Sequence, residues 1–309
     1  MKARRALGWL LLLLVAAALG IGLWLYGGEL LAQFERFRRS LRPTEPLAVT
    51  VIDVGQGSAT LVQAGDADIL IDCGERSEAN RLTAELAAAG VRRLSAVVVT
   101  HLHTDHFGAL VDLLGRFSVD AIILPETPDD LLPTNVTFER LLDAIERTKT
   151  PVIYQTAPQT ILLSDAAALT FLDSFLETPD ELNNTSLCLR IDCGSASFLI
   201  TGDAERPVEA HLLETGALVD ADVYIAGHHG SNSSSSQEFL NAVRPVVSAV
   251  SVGRGNDYEL PSDAVIERLA AFGPVCRTDM SGTIRFLTDG ETIRVTAAGI
   301  DETLTPRED

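Results

Sequence analysis

Within the six residues from His101 to His106 the chain places three imidazoles and a carboxylate, on His101, His103, Asp105 and His106. Imidazole nitrogen and carboxylate oxygen are donors that zinc, manganese and iron accept, and a site with few protein ligands keeps a position open for water. Three of the chain's six histidines fall inside this window, which sets it apart from a surface loop that merely contains histidine. The window follows Val97-Val98-Val99, a β-branched run that reads as a buried strand. Alternation at the strand end lets His101 and His103 point the same way, and one tight turn brings Asp105 and His106 to the same cavity. Two more apolar runs end in chemistry. Phe198-Leu199-Ile200-Thr201 leads into Gly202-Asp203, where glycine lets the backbone come close and the carboxylate stands at a strand tip. The rival role for Asp203 is to cap the helix that follows. Asp222 to Ala226 leads into Gly227-His228-His229-Gly230-Ser231. Neighbouring residues point differently, so one of the two histidines can ligate while the other touches substrate or supports a ligand. Ser231 opens a serine-rich loop, through Ser236, at the cavity rim.

These residues need elements to hold them. Hydrophobic periodicity predicts strands over 47–53, 59–63, 68–72, 95–100 and 121–124, with helices over 78–89, 108–117 and 136–149. The second half predicts strands over 151–154, 160–163, 167–173, 186–192, 196–201, 222–226 and 246–252. Its helices fall over 205–215, 236–243 and 262–272, before a hairpin near 283–296. Hairpins followed by strand–helix alternation, written twice, suggest two sheets face to face with helices outside. The short echo of Leu70-Ile71-Asp72-Cys73-Gly74 in Leu189-Arg190-Ile191-Asp192-Cys193-Gly194 fits an internal duplication. Residues 299–309 read as a loose acidic tail. The four cysteines contain no Cys-x-x-Cys pair and read as small buried hydrophobes, with a disulfide left open.

The first 46 residues stand apart. Residues 1–26 combine a basic start with a twenty-residue uncharged run, Leu7 to Tyr26, long enough to span a hydrocarbon core as a helix. A signal peptide is the rival, with a shorter apolar region as the rule. Residues 27–46 read as a juxtamembrane helix and linker closed by Pro43 and Pro46, and the soluble domain begins at Leu47. Lys2, Arg4 and Arg5 favour a cytoplasmic start, hence a single-pass cell-membrane protein with its domain outside the cytoplasm; Arg36, Arg38, Arg39 and Arg42 pull the other way. Residues 1–42 hold seven of the 24 basic and two of the 43 acidic residues, so the rest carries a formal −24. Such a surface argues against salt-driven binding of polyanions, although bound dications reverse the field locally.

The His-x-His-x-Asp-His motif after a hydrophobic strand resembles the signature of the metallo-β-lactamase-fold hydrolases. Further stretches narrow the likeness to the soluble hydrolase domain of ComEC-type competence proteins. They are Asp53-Val54-Gly55-Gln56-Gly57, Asn183-Asn184-Thr185-Ser186, Gly253-Arg254-Gly255-Asn256-Asp257-Tyr258, and Arg277-Thr278-Asp279 with Ser281-Gly282-Thr283. The resemblance implies an α/β fold, the four-layer αβ/βα sandwich, over residues 47–298. It also implies two divalent ions, zinc or manganese: one on His101, His103 and Asp203, the other on Asp105, His106, Asp203 and His228, with Asp203 bridging. His229 is then the proton donor or substrate contact, and Asp105 or Asp203 orients the nucleophile. Asn184, Ser231, Asn256 and Asp279 are the implied substrate contacts. The expected reaction is metal-dependent hydrolysis of a phosphodiester through a water activated between the ions. DNA is the substrate that the competence branch suggests, and a small or lipid-borne phosphodiester is the one that the −24 charge suggests. A metal-binding scaffold without turnover is the rival from another class, and no protein partner is expected. Three departures bear on this. Ser58 stands where the branch has Asp, Leu260 where it has His, and the histidine that many members carry before the Gly-Asp strand is missing.

Overall fold

Short, apolar, β-branched runs recur through this chain. The computed structural model, which describes residue 33 and residues 40–307, turns nearly all of them into strands. The chain forms two compact units, 1–42 and 43–309. The membrane-spanning helix expected over 7–26 lies outside the described residues; among the described residues no helix is long and apolar enough to cross a membrane.

In the second unit the strands come in chain order as β1 (Leu47–Val51), β2 (Thr60–Ala64), β3 (Ala67–Ile71), β4 (Ala96–Val98), β5 (Ile122–Pro125) and β6 (Val152–Gln155). Next are β7 (Gln159–Leu162), β8 (Ala167–Phe171), β9 (Leu189–Cys193), β10 (Ala196–Ile200), β11 (Val223–Ile225) and β12 (Val247–Val250). The last are β13 (Val275–Arg277), β14 (Ile284–Thr288), β15 (Ile293–Ala297) and β16 (Ile300–Leu304). They form a nine-stranded sheet in the order β16-β15-β14-β1-β2-β3-β4-β5-β6 and a seven-stranded sheet in the order β13-β12-β11-β10-β9-β8-β7. The helices are α1 (Ala79–Ala88), α2 (Val136–Thr148), α3 (Arg206–Glu214), α4 (Gln237–Val243) and α5 (Asp263–Ala270).

Alternation along the strands divides the core into three layers. Val49, Val51, Ile69, Ile71 and Val98 of the first sheet meet Phe171, Leu189, Phe198 and Ile200 of the second. Phe198 and Phe286 pack edge to face across that gap, with ring centroids 6.1 Å apart; burying each such ring is worth roughly 1.5–3 kcal/mol. The opposite faces turn outward. Leu61, Leu70 and Val97 pack on Leu82 and Leu86 of α1 and Leu141 of α2, while Leu199, Tyr224 and Val250 pack on Leu212, Phe239 and Leu269 of α3, α4 and α5. This is the αβ/βα sandwich expected from the sequence. All four cysteines are free and buried within these layers.

Two elements differ from expectation. The helix predicted over 108–117 is helical only over Leu110–Leu113, after a separate helical turn Thr104–Phe107; between them Ala109 N–H donates to Gly74 O (3.1 Å). The tail expected to be loose is the edge strand β16, antiparallel to β15, with Arg294 gripping Asp301 across the pair (2.8 Å). Beyond it Arg307 N–H donates to Asp222 Oδ1 (2.9 Å).

What positions a site here is strand direction. The pairs β3–β4, β10–β11, β11–β12 and β12–β13 are parallel, so the C-terminal tips of each set lie along one rim, the usual place for ligands in open α/β sheets.

Candidate metal centre

The rim carries three groups of side chains. After β4 the chain runs extended through His101 to His103 and then winds into the turn Thr104–Phe107, which brings Asp105 and His106 back over the strand end. After β10, Gly202 takes φ +54, and a Cβ there would stand 2.7 Å from Thr100 Cβ. Only glycine lets this tip seat against the first, which sets Asp203 beside the histidines. After β11, His228 and His229 both adopt left-handed φ, 47 and 52, a conformation that non-glycine residues keep only where their surroundings enforce it.

The donor atoms of these groups converge. His101 Nε2 lies 3.0 Å from His103 Nδ1 and 3.9 Å from Asp203 Oδ2. His106 Nε2 lies 3.2 Å from Asp203 Oδ1 and 4.0 Å from Asp105 Oδ2. His229 Nε2 lies 3.2 Å from Asp105 Oδ2 and 3.5 Å from Asp203 Oδ2. Two groups could each hold an ion: His101, His106 and Asp203, and Asp105, His106 and His229. The fit to divalent cations rests on unused donor capacity. His106 Nε2 is buried and, although Asp203 Oδ1 lies 3.2 Å away, forms no well-aligned hydrogen bond, an arrangement that a cation shared by the two would complete.

Outer groups hold the rings in place. A carboxylate can only accept, so His106 Nδ1–H donates to Asp72 Oδ2 (2.8 Å), which leaves Nε2 free toward the cavity. Thr100 N–H and Oγ1–H donate to the two oxygens of the same carboxylate, at 2.7 and 2.9 Å. His229 Nδ1–H donates to Ser251 O (2.9 Å), and again the other nitrogen faces the centre.

Charge balance follows from this packing. Burial, with the neighbouring His106, drives His101 well below the ordinary imidazole range. Burial likewise lowers His103. In His106 and His229 burial pulls the same way, but the carboxylates around them win and both are raised. Burial of Asp203 is outweighed by His106, His229 and His101, which hold it well below the carboxylate range; Asp105 is held low in the same way, chiefly by His229. The cluster is thus a set of anionic oxygens and imidazole nitrogens in which protons occupy positions that cations can take.

The geometry corrects several expectations. Of the adjacent histidines, His229 and not His228 closes the group with Asp105 and His106. His228 is turned to the edge, its Nδ1 3.0 Å from both Glu205 Oε1 and Ser233 Oγ and its Nε2 3.8 Å from Asp203 Oδ2. The four expected substrate contacts are all engaged within the protein. Asn184 is 1% exposed, donating to Asp180 Oδ1 (2.8 Å) and accepting from Glu205 N–H (3.3 Å). Asn256 pins its own loop through Gly253 O and Leu260 O, and Asp279 forms a two-pronged pair with Arg277. Ser231 bonds Ser233 within the rim loop. Residues not singled out by the sequence take larger parts: Asp72, which orients His106, and Glu205, which lies against His228. Asp72 had a visible signal, an acid before a glycine-bearing turn at a strand end, the pattern of Asp203 in mirror order. Asp192 in the sequence echo lies inside β9, paired with Arg190, so the two copies do different work. Next to the helical turn Leu182–Thr185 a cleft of about 360 Å³ is lined by Glu126, Thr127, Asp129, Phe175, Asn184 and Thr185.

Residues 52–254 match the family model described as the metallo-beta-lactamase superfamily. The chain is 33% identical over 289 residues to competence protein ComA of Neisseria gonorrhoeae, covering 90% of this chain and 38% of that protein. It is 30% identical over 261 residues to ComE operon protein 3 of Bacillus subtilis, covering 77% and 32%. The chain therefore spans about a third of the length of these curated relatives. Among solved structures, the metallo-beta-lactamase fold protein YhfI of Bacillus subtilis superposes with a TM-score of 0.51 at 16% identity, over 77% of this chain and 99% of that one, a likeness of fold.

Proposed function

The chain belongs to the metallo-β-lactamase superfamily, a fold that implies divalent metal ions and a metal-dependent hydrolase, and from that premise we propose that it hydrolyses phosphodiesters at a two-ion centre. The observation that carries the reading is the convergence of His101, His103, Asp105, His106, Asp203 and His229 on one cavity, with His106 Nε2 buried and in no well-aligned hydrogen bond. One ion would be held by His101, Asp203 and the adjoining His103, the other by Asp105, His106 and His229. The chemistry such ions supply when bound is a hydrolytic nucleophile at neutral pH and charge relief for an in-line phosphoryl transition state.

The chain's own groups do the rest. Asp105 and Asp203 present oxygens that orient the attacking group. His228, with Ser233 Oγ and Glu205 at its Nδ1 and open toward Asp203 at Nε2, is placed to give a proton to the leaving oxygen. Asp72 keeps His106 in the tautomer that leaves Nε2 free.

The similarity to competence proteins makes DNA the first substrate to test. The −24 formal charge of residues 43–309 favours a second reading, a small or lipid-borne phosphodiester. The uncharged run Leu7 to Tyr26 supports a single membrane anchor, with the catalytic unit outside the cytoplasm. Purified protein with Mn²⁺ or Zn²⁺ is expected to cleave bis-p-nitrophenyl phosphate, with single-stranded and duplex DNA run alongside. Asp203→Ala and His229→Ala should fall to background, and Asp72→Ala by about 10–100-fold. Equal rates for wild type and Asp203→Ala would remove the enzymatic reading and leave a scaffold.

A further inference from the structure

The histidine that many superfamily members carry before the Gly-Asp strand is absent here, and the helical turn Leu182–Thr185 occupies the approach to that strand. The turn is anchored on both neighbouring tips. Leu187 N–H donates to Thr100 O (2.9 Å), and Ser186 Oγ accepts from Asp203 N–H (3.2 Å). Asn184 fastens the turn from behind, which leaves its neighbour pointing elsewhere. Asn183 is 5% exposed and lies against the His103 ring. Its Nδ2 donates to Glu205 Oε1 (3.3 Å), which settles the end of the amide that is oxygen. That oxygen, Oδ1, is buried and forms no well-aligned hydrogen bond, with the His103 imidazole in reach of it. A buried amide oxygen without a well-aligned partner is uncommon, and here it stands among the tips that bear His103 and Asp203.

We propose that Asn183 Oδ1 is the remaining protein ligand of the ion held by His101, His103 and Asp203, and that it makes this position selective for manganese or magnesium over zinc. The proposal rests on the two-ion reading above. A neutral carbonyl oxygen in place of an imidazole hardens the donor set; imidazole suits zinc, whereas carbonyl, carboxylate and water suit manganese and magnesium. The second position, on Asp105, His106 and His229, likewise has two imidazoles, so the preference rests on Asn183 standing where a third imidazole would favour zinc.

The test is metal binding to the full chain after removal of bound ions, by calorimetry and by Mn²⁺ electron paramagnetic resonance, on wild type, Asn183→Ala, Asn183→Asp and Asn183→His. Wild type should bind two Mn²⁺ per chain. Asn183→Ala should weaken one of the two by at least about tenfold and leave the other unchanged; Asn183→Asp should restore it. Asn183→His should shift that position toward Zn²⁺ by at least about tenfold. Two Mn²⁺ bound to Asn183→Ala with wild-type affinity would overturn the assignment, as would an unaltered Zn²⁺/Mn²⁺ preference in Asn183→His should the alanine variant prove unfolded by circular dichroism. A wild type that binds no divalent ion would instead overturn the two-ion reading itself.

Discussion

His228 and His229 differ by one position and do different things, because their Nδ1 atoms have different partners: Ser233 Oγ, with Glu205 Oε1 alongside at 3.0 Å, for the first and the Ser251 carbonyl for the second. Side-chain type at a strand end was legible in the sequence, and with it the gathering of His101, His103, Asp105, His106 and Asp203 at one rim. The choice between the histidines was not, because both sit at positive φ, where the alternation that orients strand residues no longer applies. Asn183 and Asn184 pose the same problem inside a single helical turn. Glu205, which lies against His228, also pairs with Glu181, and this couples the rim to pH. The hydrogen bond that the Glu181 carboxyl donates to Glu205, then burial and the charge of Glu205, raise Glu181 to about 7 from an ordinary 4.5. Between those values the folded protein holds a proton that the unfolded chain has released, so stability falls as pH rises through the window. Glu181→Gln should therefore melt higher than wild type at about pH 8 and lose that advantage at about pH 5. Thermal melts of chelator-treated protein decide this, and parallel pH profiles for the two proteins would show that the carboxyl pair does not share a proton.

Elements were more legible than individual contacts, because parallel strands buried on both faces must be apolar throughout. The runs that became β4, β10 and β11 are of this kind, and each delivers its reactive residues at the C-terminal tip. Residues 108–117 misled because their apolar period is helical throughout, while the chain keeps a helix only over Leu110–Leu113, its start tied to the distant Gly74 carbonyl by Ala109 N–H. The final strand misled for the opposite reason. Ile300-Asp301-Glu302-Thr303-Leu304 has two apolar residues and an exposed charged middle, the composition of a tail, yet it suits a sheet edge where charge discourages further pairing. Its contacts reach both sheets, through the β15 ladder and through Arg307 on Asp220 and Asp222. Deleting 299–309 should lower the melting temperature by at least about 2 °C, at about 2–4 °C for each kcal/mol lost, and expose the β15 edge to self-association. Calorimetry and sizing chromatography measure both, and an unchanged melt would mean that the strand contributes nothing to the sheet.

For the whole molecule, the sandwich concentrates its function along one rim because the parallel strands of each sheet share a direction, while the remaining surface is free to carry charge. Residues 43–309 carry a formal −24, with the basic residues held mainly in local pairs such as Arg76–Asp112, Arg277–Asp279 and Arg294–Asp301. A nuclease with a basic track loses affinity steeply as salt rises, since binding releases counterions. Here the long-range term has the other sign: a DNA strand approaching the cation centre crosses a repulsive field, and salt screens that field over a Debye length of about 10 Å at 0.1 M. The kcat/KM for single-stranded DNA should therefore rise as NaCl goes from about 20 mM to about 150 mM, at fixed metal concentration. The value for bis-p-nitrophenyl phosphate, with a single charge, should change far less. Initial rates on both substrates across the series are the measurement. A steep fall for DNA alone would place a basic nucleic-acid track beside the centre and overturn the repulsive picture, whereas no DNA cleavage at any salt alongside turnover of the small diester would favour the small or lipid-borne substrate.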